Sequence, residues 1–150
     1  MGDVLFVHGG ISLAVAVKYR QVAQLNAAFH DLKEVTMDGV LDSDGPLWYR
    51  GYARNSDERT CTELRKTLDL LGASYMVMGH TVKERMIFRC NRAVFVDTGI
   101  SYALLGRPSA LEIVQKGGVS VRMKALYGDS EETLFDLTAA FQSQPTLDLS

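Results

Sequence analysis

Three short segments combine a potential metal ligand with neighbouring glycine or other small residues. They are His8-Gly9-Gly10, Gly79-His80-Thr81 and Asp97-Thr98-Gly99, and each directly follows a hydrophobic run. Neutral imidazole is the commonest transition-metal ligand, and carboxylate oxygens also bind divalent cations. In open α/β folds, ligands bind beyond the carboxyl ends of the strands. If the hydrophobic runs are neighbouring strands, two histidines and one aspartate would therefore converge on one site.

Each of these residues also has a purely structural interpretation. A single histidine after a strand is often a hydrogen-bonded loop residue, and Asp97 could cap a turn through its side chain. The third histidine, His30, falls beside the apolar stripe of a predicted helix, and we interpret it as a surface or boundary residue. The equivalent glycine-flanked positions of His8 and His80 favour the functional interpretation for these two.

Arg50 is the cation that best fits an anion site. It lies among aromatic residues in a Gly-, Asp- and Ser-rich segment, residues 37–55, which predicts a long loop. Long loops inside compact domains are usually functional or disordered. The planar guanidinium group suits bidentate binding of phosphate, although a solvated or salt-bridged arginine is the alternative. The neighbouring Trp48, Tyr49 and Tyr52 could stack on a substrate or simply pack.

Composition excludes several classes of function. The 150 residues are 47% hydrophobic and 23% charged, with a net charge of −2, which is typical of one soluble globular domain. This charge predicts neither a nucleic-acid partner nor an acidic membrane surface. No apolar run reaches the roughly 18 residues of a membrane span, and no signal peptide is recognised. We therefore expect a cytoplasmic protein whose two cysteines, Cys61 and Cys90, are free in a reducing compartment.

The first half of the chain predicts one strand and two helices around the long loop. Residues 4–7 form a short continuous apolar run, which indicates a strand buried on both faces. Apolar residues at steps of three and four predict a helix over residues 13–35 and a second over residues 60–71. Residues 56–57 offer side chains that could cap the start of the second helix, and Gly72 could cap its end.

The second half of the chain predicts mainly strands. Three short hydrophobic strands are expected over residues 75–78, 86–89 and 93–96. Residues 110–115 and 119–126 flank a turn that contains Gly117-Gly118, and paired glycines supply the positive φ angles of a two-residue hairpin. We expect residues 1–127 to belong to one domain. The remainder, residues 128–150, is expected to be an acidic tail, with a possible short helix over residues 131–141 and frayed residues after it.

Taken together, the motifs resemble the second half of the calcineurin-like metallophosphoesterases, and within them the phosphoprotein phosphatases of the Shewanella-like branch. Residues 5–10 (LFVHGG) look like the strand that delivers a metal-binding histidine. Residues 44–52 (DGPLWYRGY) look like the loop that sets this branch apart. Residues 77–81 (VMGHT) resemble the segment with the last metal-binding histidine, and residues 96–101 (VDTGIS) resemble the turn that closes the site. Four such motifs in the right order, over residues 5–113, make the resemblance specific.

The resemblance implies a fold and a mechanism. The fold would be α/β, the C-terminal half of the calcineurin-like β-sandwich flanked by helices, which is a partial four-layer αββα arrangement. In this family two divalent metal ions (Mn, Fe or Zn) hold a bridging hydroxide that attacks phosphorus. His8 and His80 would bind the second metal. Arg50 would bind and stabilise the phosphoryl group, with Tyr49 as a further substrate contact.

Other residues would support these ligands. The resemblance places Asp97, Gly9 and Gly79 around the metal-binding histidines. The resemblance also implies a phosphorylated substrate, namely a phosphoprotein with phosphoserine or phosphothreonine.

The sequence lacks several motifs that this family uses. An Asp-x-His motif, a bridging aspartate and an Asn-His-Glu motif, all upstream in the family, have no counterpart among the residues here. We therefore expect a truncated chain that binds metal weakly, is inactive by itself, and either pairs with the missing half or self-associates. Two other functions stay open: a hydrolase of the diadenosine tetraphosphatase type, which also uses Gly-His-Thr and Asp-Thr-Gly segments, and a non-catalytic binding or scaffold half-domain.

Overall fold

The computed structural model describes residues 3–30, 41–55 and 57–138, in which two β-sheets are combined with helices. The helices are α1 (Leu13–Tyr19), α2 (Val22–His30), α3 (Gly51–Arg54) and α4 (Glu58–Leu71). The strands are β1 (Val4–Val7), β2 (Tyr75–Met78), β3 (Ile87–Arg89), β4 (Ala93–Phe95), β5 (Ser109–Lys116), β6 (Val119–Tyr127) and β7 (Glu131–Asp136). The mixed α/β class expected from the sequence is confirmed. Within these ranges, no helix has both the length and the apolar character that crossing a membrane requires.

The first sheet brings the strands that precede the two histidines side by side. Its order is β1-β2-β4-β3, with β1, β2 and β4 parallel and β3 antiparallel to β4. Val7 at the end of β1 is in register with Met78 at the end of β2. Because parallel strands end at the same edge of a sheet, His8 and His80 emerge close together. The predicted adjacency of these two segments is confirmed.

The second sheet is an antiparallel meander of β5, β6 and β7. The turn between β5 and β6 contains Gly117 (φ 58°) and Gly118 (φ 81°), so both residues adopt the left-handed backbone that glycine tolerates best. The hairpin predicted from this pair of glycines is confirmed.

The helices cover one face of the first sheet. Helix α4 begins at its predicted cap, because the Asp57 carboxylate accepts a hydrogen bond from the Thr60 N–H at 2.8 Å, and it ends at Gly72 with φ 67°. This hydrogen bond holds the pKa of Asp57 below its usual value. Leu64 and Leu68 of α4 are fully buried in the core between the helices and the sheet.

The second sheet covers the opposite face. Tyr75, Phe88 and Phe135 form an aromatic cluster between the sheets, with ring centroids 5.3–6.4 Å apart. At the start of β1, the Asp3 carboxylate accepts hydrogen bonds from the Ser120 N–H (2.9 Å) and the Ser120 hydroxyl (2.7 Å). These bonds fasten the edge of the first sheet to the second.

Three expectations about the elements are wrong, and a fourth is incomplete. Strand β1 is not buried on both faces, because Phe6 is 66% exposed. The helix predicted over residues 13–35 is broken at Arg20, which has a φ of 57° and ends α1. The possible short helix over residues 131–141 is instead strand β7, which pairs with β6 through residues 122–126. The long loop also contains the short helix α3.

Other expectations concern residues outside the described ranges. They are residues 31–35 of the first helix, residues 37–40 of the loop, Ser56 as a cap, and the end of the chain from residue 139. The division of the chain after residue 127 stays a prediction.

The expectation of two free cysteines is also wrong. Cys61 on α4 and Cys90 in the turn after β3 form a disulfide, with their Cα atoms 5.2 Å apart. The spacing of 29 residues matches no sequence motif, and the pairing arises because α4 packs across the sheet near this turn. The two cysteines therefore do not support the expected reducing compartment.

Candidate functional site

The turn after β1 is held in place by the loop that precedes Arg50. The N–H groups of Gly9 and Gly10 both donate hydrogen bonds to the Pro46 carbonyl oxygen, at 2.7 and 3.2 Å. A Cβ at Gly9 would lie only 2.8 Å from the Leu47 carbonyl oxygen, so this close approach requires glycine. The turn after β1 therefore packs closely against residues 46–47.

His8 and His80 meet at the end of the sheet. The Nε2 atom of His8 lies 3.2 Å from the Nδ1 atom of His80, and the ring centroids are 4.9 Å apart. The Gly79 N–H donates a hydrogen bond to the His8 carbonyl oxygen at 2.8 Å, which ties the two turns together. His80 has a φ of 62°, a left-handed conformation that is uncommon outside glycine. Such strain is typical of functional turns that the surrounding structure must hold.

Trp48 packs against one member of this histidine pair. Its ring contacts the His80 ring edge-on, with centroids 5.1 Å apart, while 53% of the residue stays exposed. The sequence left open whether Trp48 packs or contacts a substrate. In the structure, Trp48 packs against His80 and also keeps an exposed surface.

The electrostatic surroundings favour a neutral His80. Burial lowers the pKa of His80, and electrostatic interactions with Arg50 and His8 lower it further, whereas the negative charge of Asp97 opposes them. The Nε2 atom of His80 is buried and has no hydrogen-bond partner among the described residues. Neutral imidazole is the form that binds a metal ion.

Asp97 caps the turn that follows β4. Its carboxylate accepts a hydrogen bond from the Gly99 N–H at 3.0 Å, and its carbonyl oxygen accepts one from the Lys83 N–H at 2.8 Å. Asp97 therefore fits the turn-capping alternative, and it acts on His80 through its charge.

Arg50 lines a cavity of about 670 Å³ beside the histidine pair, together with Trp48 and Tyr49. Burial, and the nearby charges of Glu63 and Asp44, raise the pKa of Tyr49, so its hydroxyl stays protonated at neutral pH.

Tyr52 is a packing residue rather than part of this cavity. It is 3% exposed, and its hydroxyl donates a hydrogen bond to the Ile11 carbonyl oxygen at 3.1 Å and lies 3.0 Å from the Thr67 hydroxyl. This burial raises its pKa.

Sequence reasoning missed one charged residue of the cavity. Arg54, at the end of α3, lines the same cavity as Arg50. Its position four residues after Arg50 is the signal that could have identified it, because such residues share one side of a helix.

The donor set fits part of a metal site. Two imidazole nitrogens at 3.2 Å match the ligand type that zinc, iron and manganese proteins use. A complete site requires about four to six ligands. In the part of the chain that the structure describes, no group of three or more His, Cys, Asp and Glu residues is placed to hold a metal ion. His8 and His80 therefore supply two ligands, and the others must come from elsewhere.

Comparison with known proteins relates this arrangement to phosphatases. No family model matches the chain. An uncharacterized protein of Schizosaccharomyces pombe is 30% identical over 130 residues, which cover 81% of this chain and 39% of that protein. Shewanella-like protein phosphatase 1 of Plasmodium berghei is 28% identical over 121 residues, covering 72% of this chain and 33% of that protein. The chain thus spans between a third and two fifths of these relatives.

Solved structures give the same result. A cold-active protein tyrosine phosphatase matches with a TM-score of 0.71 and 28% identity, covering 90% of this chain and 40% of that one. The cold-active protein-tyrosine phosphatase of a psychrophilic Shewanella species matches with a TM-score of 0.68, 26% identity, and coverage of 88% and 40%. The chain is therefore similar in sequence to part of a Shewanella-like protein phosphatase, and in fold to about two fifths of the cold-active protein tyrosine phosphatases.

Proposed function

We propose that this chain carries part of a metal-dependent site that hydrolyses phosphoesters, with phosphoproteins as the substrate class. His8 and His80 hold a divalent cation, and Arg50 binds the phosphoryl group. The observation that carries this proposal is the pair of imidazole nitrogens 3.2 Å apart at the ends of neighbouring parallel strands, next to the cavity of Arg50. The relatives described as protein phosphatases support it.

The histidine pair is prepared for metal binding by its surroundings. The lowered pKa of His80 keeps its ring neutral at neutral pH, and the Trp48 ring limits the rotation of that ring. A divalent ion held by these rings would act as a Lewis acid on a phosphoryl oxygen and lower the pKa of a water molecule.

Arg50 and Tyr49 act on the substrate. The guanidinium group of Arg50 donates two parallel hydrogen bonds to phosphoryl oxygens and stabilises the charge that develops on them. Tyr49, protonated at neutral pH, lines the same cavity and is able to donate a further hydrogen bond. These residues bind and orient the phosphoryl group.

The proton donor and the remaining metal ligands lie outside this set. The sequence has only three histidines and contains no Asn-His pair. We therefore infer that the chain by itself binds metal weakly and has no turnover that depends on His80. Its partner would be a segment that carries the missing ligands, or a second copy of the chain.

Metal titration tests the histidine pair. In calorimetric titrations with Mn²⁺ or Zn²⁺, we expect weak binding that is lost in both His8→Ala and His80→Ala and kept in His30→Ala. Sub-micromolar binding of two ions per chain would contradict the partial site. Hydrolysis of p-nitrophenyl phosphate that falls in His80→Ala would contradict the inferred lack of activity.

A comparison of the affinities of phosphorylated ligands tests the substrate class. Because Trp48 is the only tryptophan and lines the cavity, its fluorescence reports binding there. We expect phosphoserine and phosphotyrosine peptides to bind more tightly than diadenosine tetraphosphate. Tighter binding of diadenosine tetraphosphate would favour the hydrolase alternative, and no binding of any phosphorylated ligand would favour a non-catalytic half-domain.

A further inference from the structure

We propose that Arg54 forms a second anion-binding point in the cavity of Arg50, which selects phosphopeptides with an acidic residue two positions from the phosphorylated residue. This inference rests on the proposed function, since it names the substrate feature that the same site would read. It concerns the part of the cavity that Arg54 lines.

The backbone places the two arginines on one side of the same helical turn. Arg50 is the N-cap residue of α3 and Arg54 is its last residue. The Arg54 N–H donates a hydrogen bond to the Arg50 carbonyl oxygen at 3.0 Å, which is the spacing of one helical turn. Side chains four residues apart have Cβ atoms roughly 5–6 Å apart. Both arginines line the 670 Å³ cavity.

The two arginines differ in depth. Arg50 is half-buried, and its charge lowers the pKa of His80 at the end of the sheet. Arg54 is exposed at the rim. A phosphoryl group bound between Arg50 and the histidine pair would therefore leave Arg54 to contact a neighbouring part of the substrate.

The charge balance of the cavity favours an anionic ligand. The charged residues that line it are one acid, Asp44, and the two arginines. Over residues 3–30, 41–55 and 57–138, neither arginine forms an ion pair. The cavity therefore keeps a net positive charge for a dianionic phosphate at Arg50 and a carboxylate at Arg54.

The spacing selects the position of the carboxylate. Successive residues of an extended peptide point to opposite sides and rise about 3.3 Å each, so side chains two residues apart lie on one side at about 6.6 Å. This distance is close to the Cβ separation of roughly 5–6 Å that residues four apart on a helix have. Trp48 and Tyr49 supply the apolar floor on which such a peptide would lie.

The test uses the full chain and the fluorescence of Trp48. The probes are two phosphoserine peptides that differ only in a glutamate or a glutamine two residues after the phosphoserine. We expect the glutamate peptide to bind about fivefold more tightly, as for a partly exposed ion pair. Arg54→Gln should abolish this preference, and Arg54→Lys should retain most of it. Arg65→Gln, on the exposed side of α4, is the matched control and should change neither affinity.

The outcomes separate this inference from the proposed function. Equal affinity for the two peptides, or a preference that survives Arg54→Gln, would overturn the inference. Arg50→Gln should weaken both peptides about tenfold or more, because it removes the bidentate phosphate contact. If both peptides bind Arg50→Gln as tightly as the original chain, the proposed role of Arg50 fails, whatever the result at Arg54.

Discussion

The two faces of the four-stranded sheet are covered unequally. On the face toward the helices, Met76, Met78 and Phe95 are at most 1% exposed. On the face toward the second sheet, Val94 is fully buried, but Phe6 at the end of β1 is 66% exposed. The second sheet therefore covers the middle of the first sheet and leaves the end of its edge strand open.

The difference shows where the fold is fixed and where it is open. At its start, β1 is fastened to the second sheet by the Asp3 carboxylate. At its end, Phe6 borders a cavity of about 480 Å³ together with Val77 and Ile113. His8 follows Phe6 by two residues, so the candidate site lies at the open end of the strand. Stability should accordingly depend on the helix face and on the Asp3 end, and ligand binding on the open end.

The largest contrast is expected between two phenylalanines of the same sheet. Phe95→Ala should lower the free energy of unfolding by about 4 kcal/mol, because it leaves a cavity in the helix-covered core. Phe6→Ala should lower it by only about 0.5 kcal/mol, because the side chain is already in contact with water. Urea denaturation of the two variants measures both values, and equal losses would show that the two faces are equally covered.

The disulfide should contribute the next largest effect on the helix face. Cys61 and Cys90 are 29 residues apart in the sequence. Closing a loop of this size stabilises by about 3 kcal/mol, mainly by restricting the unfolded chain. A Cys61→Ser, Cys90→Ser double variant should lose that amount in urea denaturation, and so should the original chain after reduction. Two thiols that react in the unreduced, folded chain would contradict the disulfide.

The hydrogen bonds of Asp3, at the start of β1, should make the next largest contribution to stability. Asp3→Ala leaves the buried Ser120, which is 0% exposed, without its carboxylate partner. Leaving a buried donor unsatisfied costs about 2 kcal/mol. Asp129→Ala, at an exposed turn, is the control and should have little effect. If the two variants unfold at the same urea concentration, the hydrogen bonds of Asp3 do not hold the sheets together.

Replacing His80, at the open end of β1, should have the smallest effect on stability. This effect should depend on pH. The folded pKa of His80 lies below its usual value of about 6.5, so folding favours the neutral ring. Its contribution to stability is therefore complete above pH 6.5 or so, and it is lost as the pH falls through the lower folded pKa. In metal-free buffer, His80→Gln should reduce the loss of stability between about pH 7.5 and about pH 5. An unchanged loss would show that burial and Arg50 do not affect the protonation of His80.

The elements that the sequence predicted well are those whose signals are local. The caps of α4 at Asp57 and Gly72 and the hairpin turn at Gly117-Gly118 depend on side chains or φ angles at the residues themselves. Strand β7 was missed because residues 131–136 have no clear period, and pairing with β6 decides their conformation. The exposure of Phe6 was missed because the local run of apolar residues carries no information on how far the second sheet extends.

The site was predicted in part for the same reason. The glycine-flanked turns identified His8 and His80, and the parallel pairing of β1 with β2 brought them together as expected. The contact of Trp48 with His80 and the position of Arg54 depend on the path of residues 41–55, which have no periodicity to predict it. The disulfide likewise depends on the packing of α4 against the turn after β3.

The most direct test of the site is a Zn²⁺ titration followed by NMR of the histidine rings. The three histidines provide an internal control, because His30 is exposed at the end of α2 while His8 and His80 lie 3.2 Å apart at the end of the sheet. We predict that the ring signals of His8 and His80 shift together as zinc is added, that those of His30 do not, and that His8→Ala abolishes the response of His80. Equal responses of all three rings, or a response of His80 that survives His8→Ala, would contradict the assignment of this pair as a shared metal site.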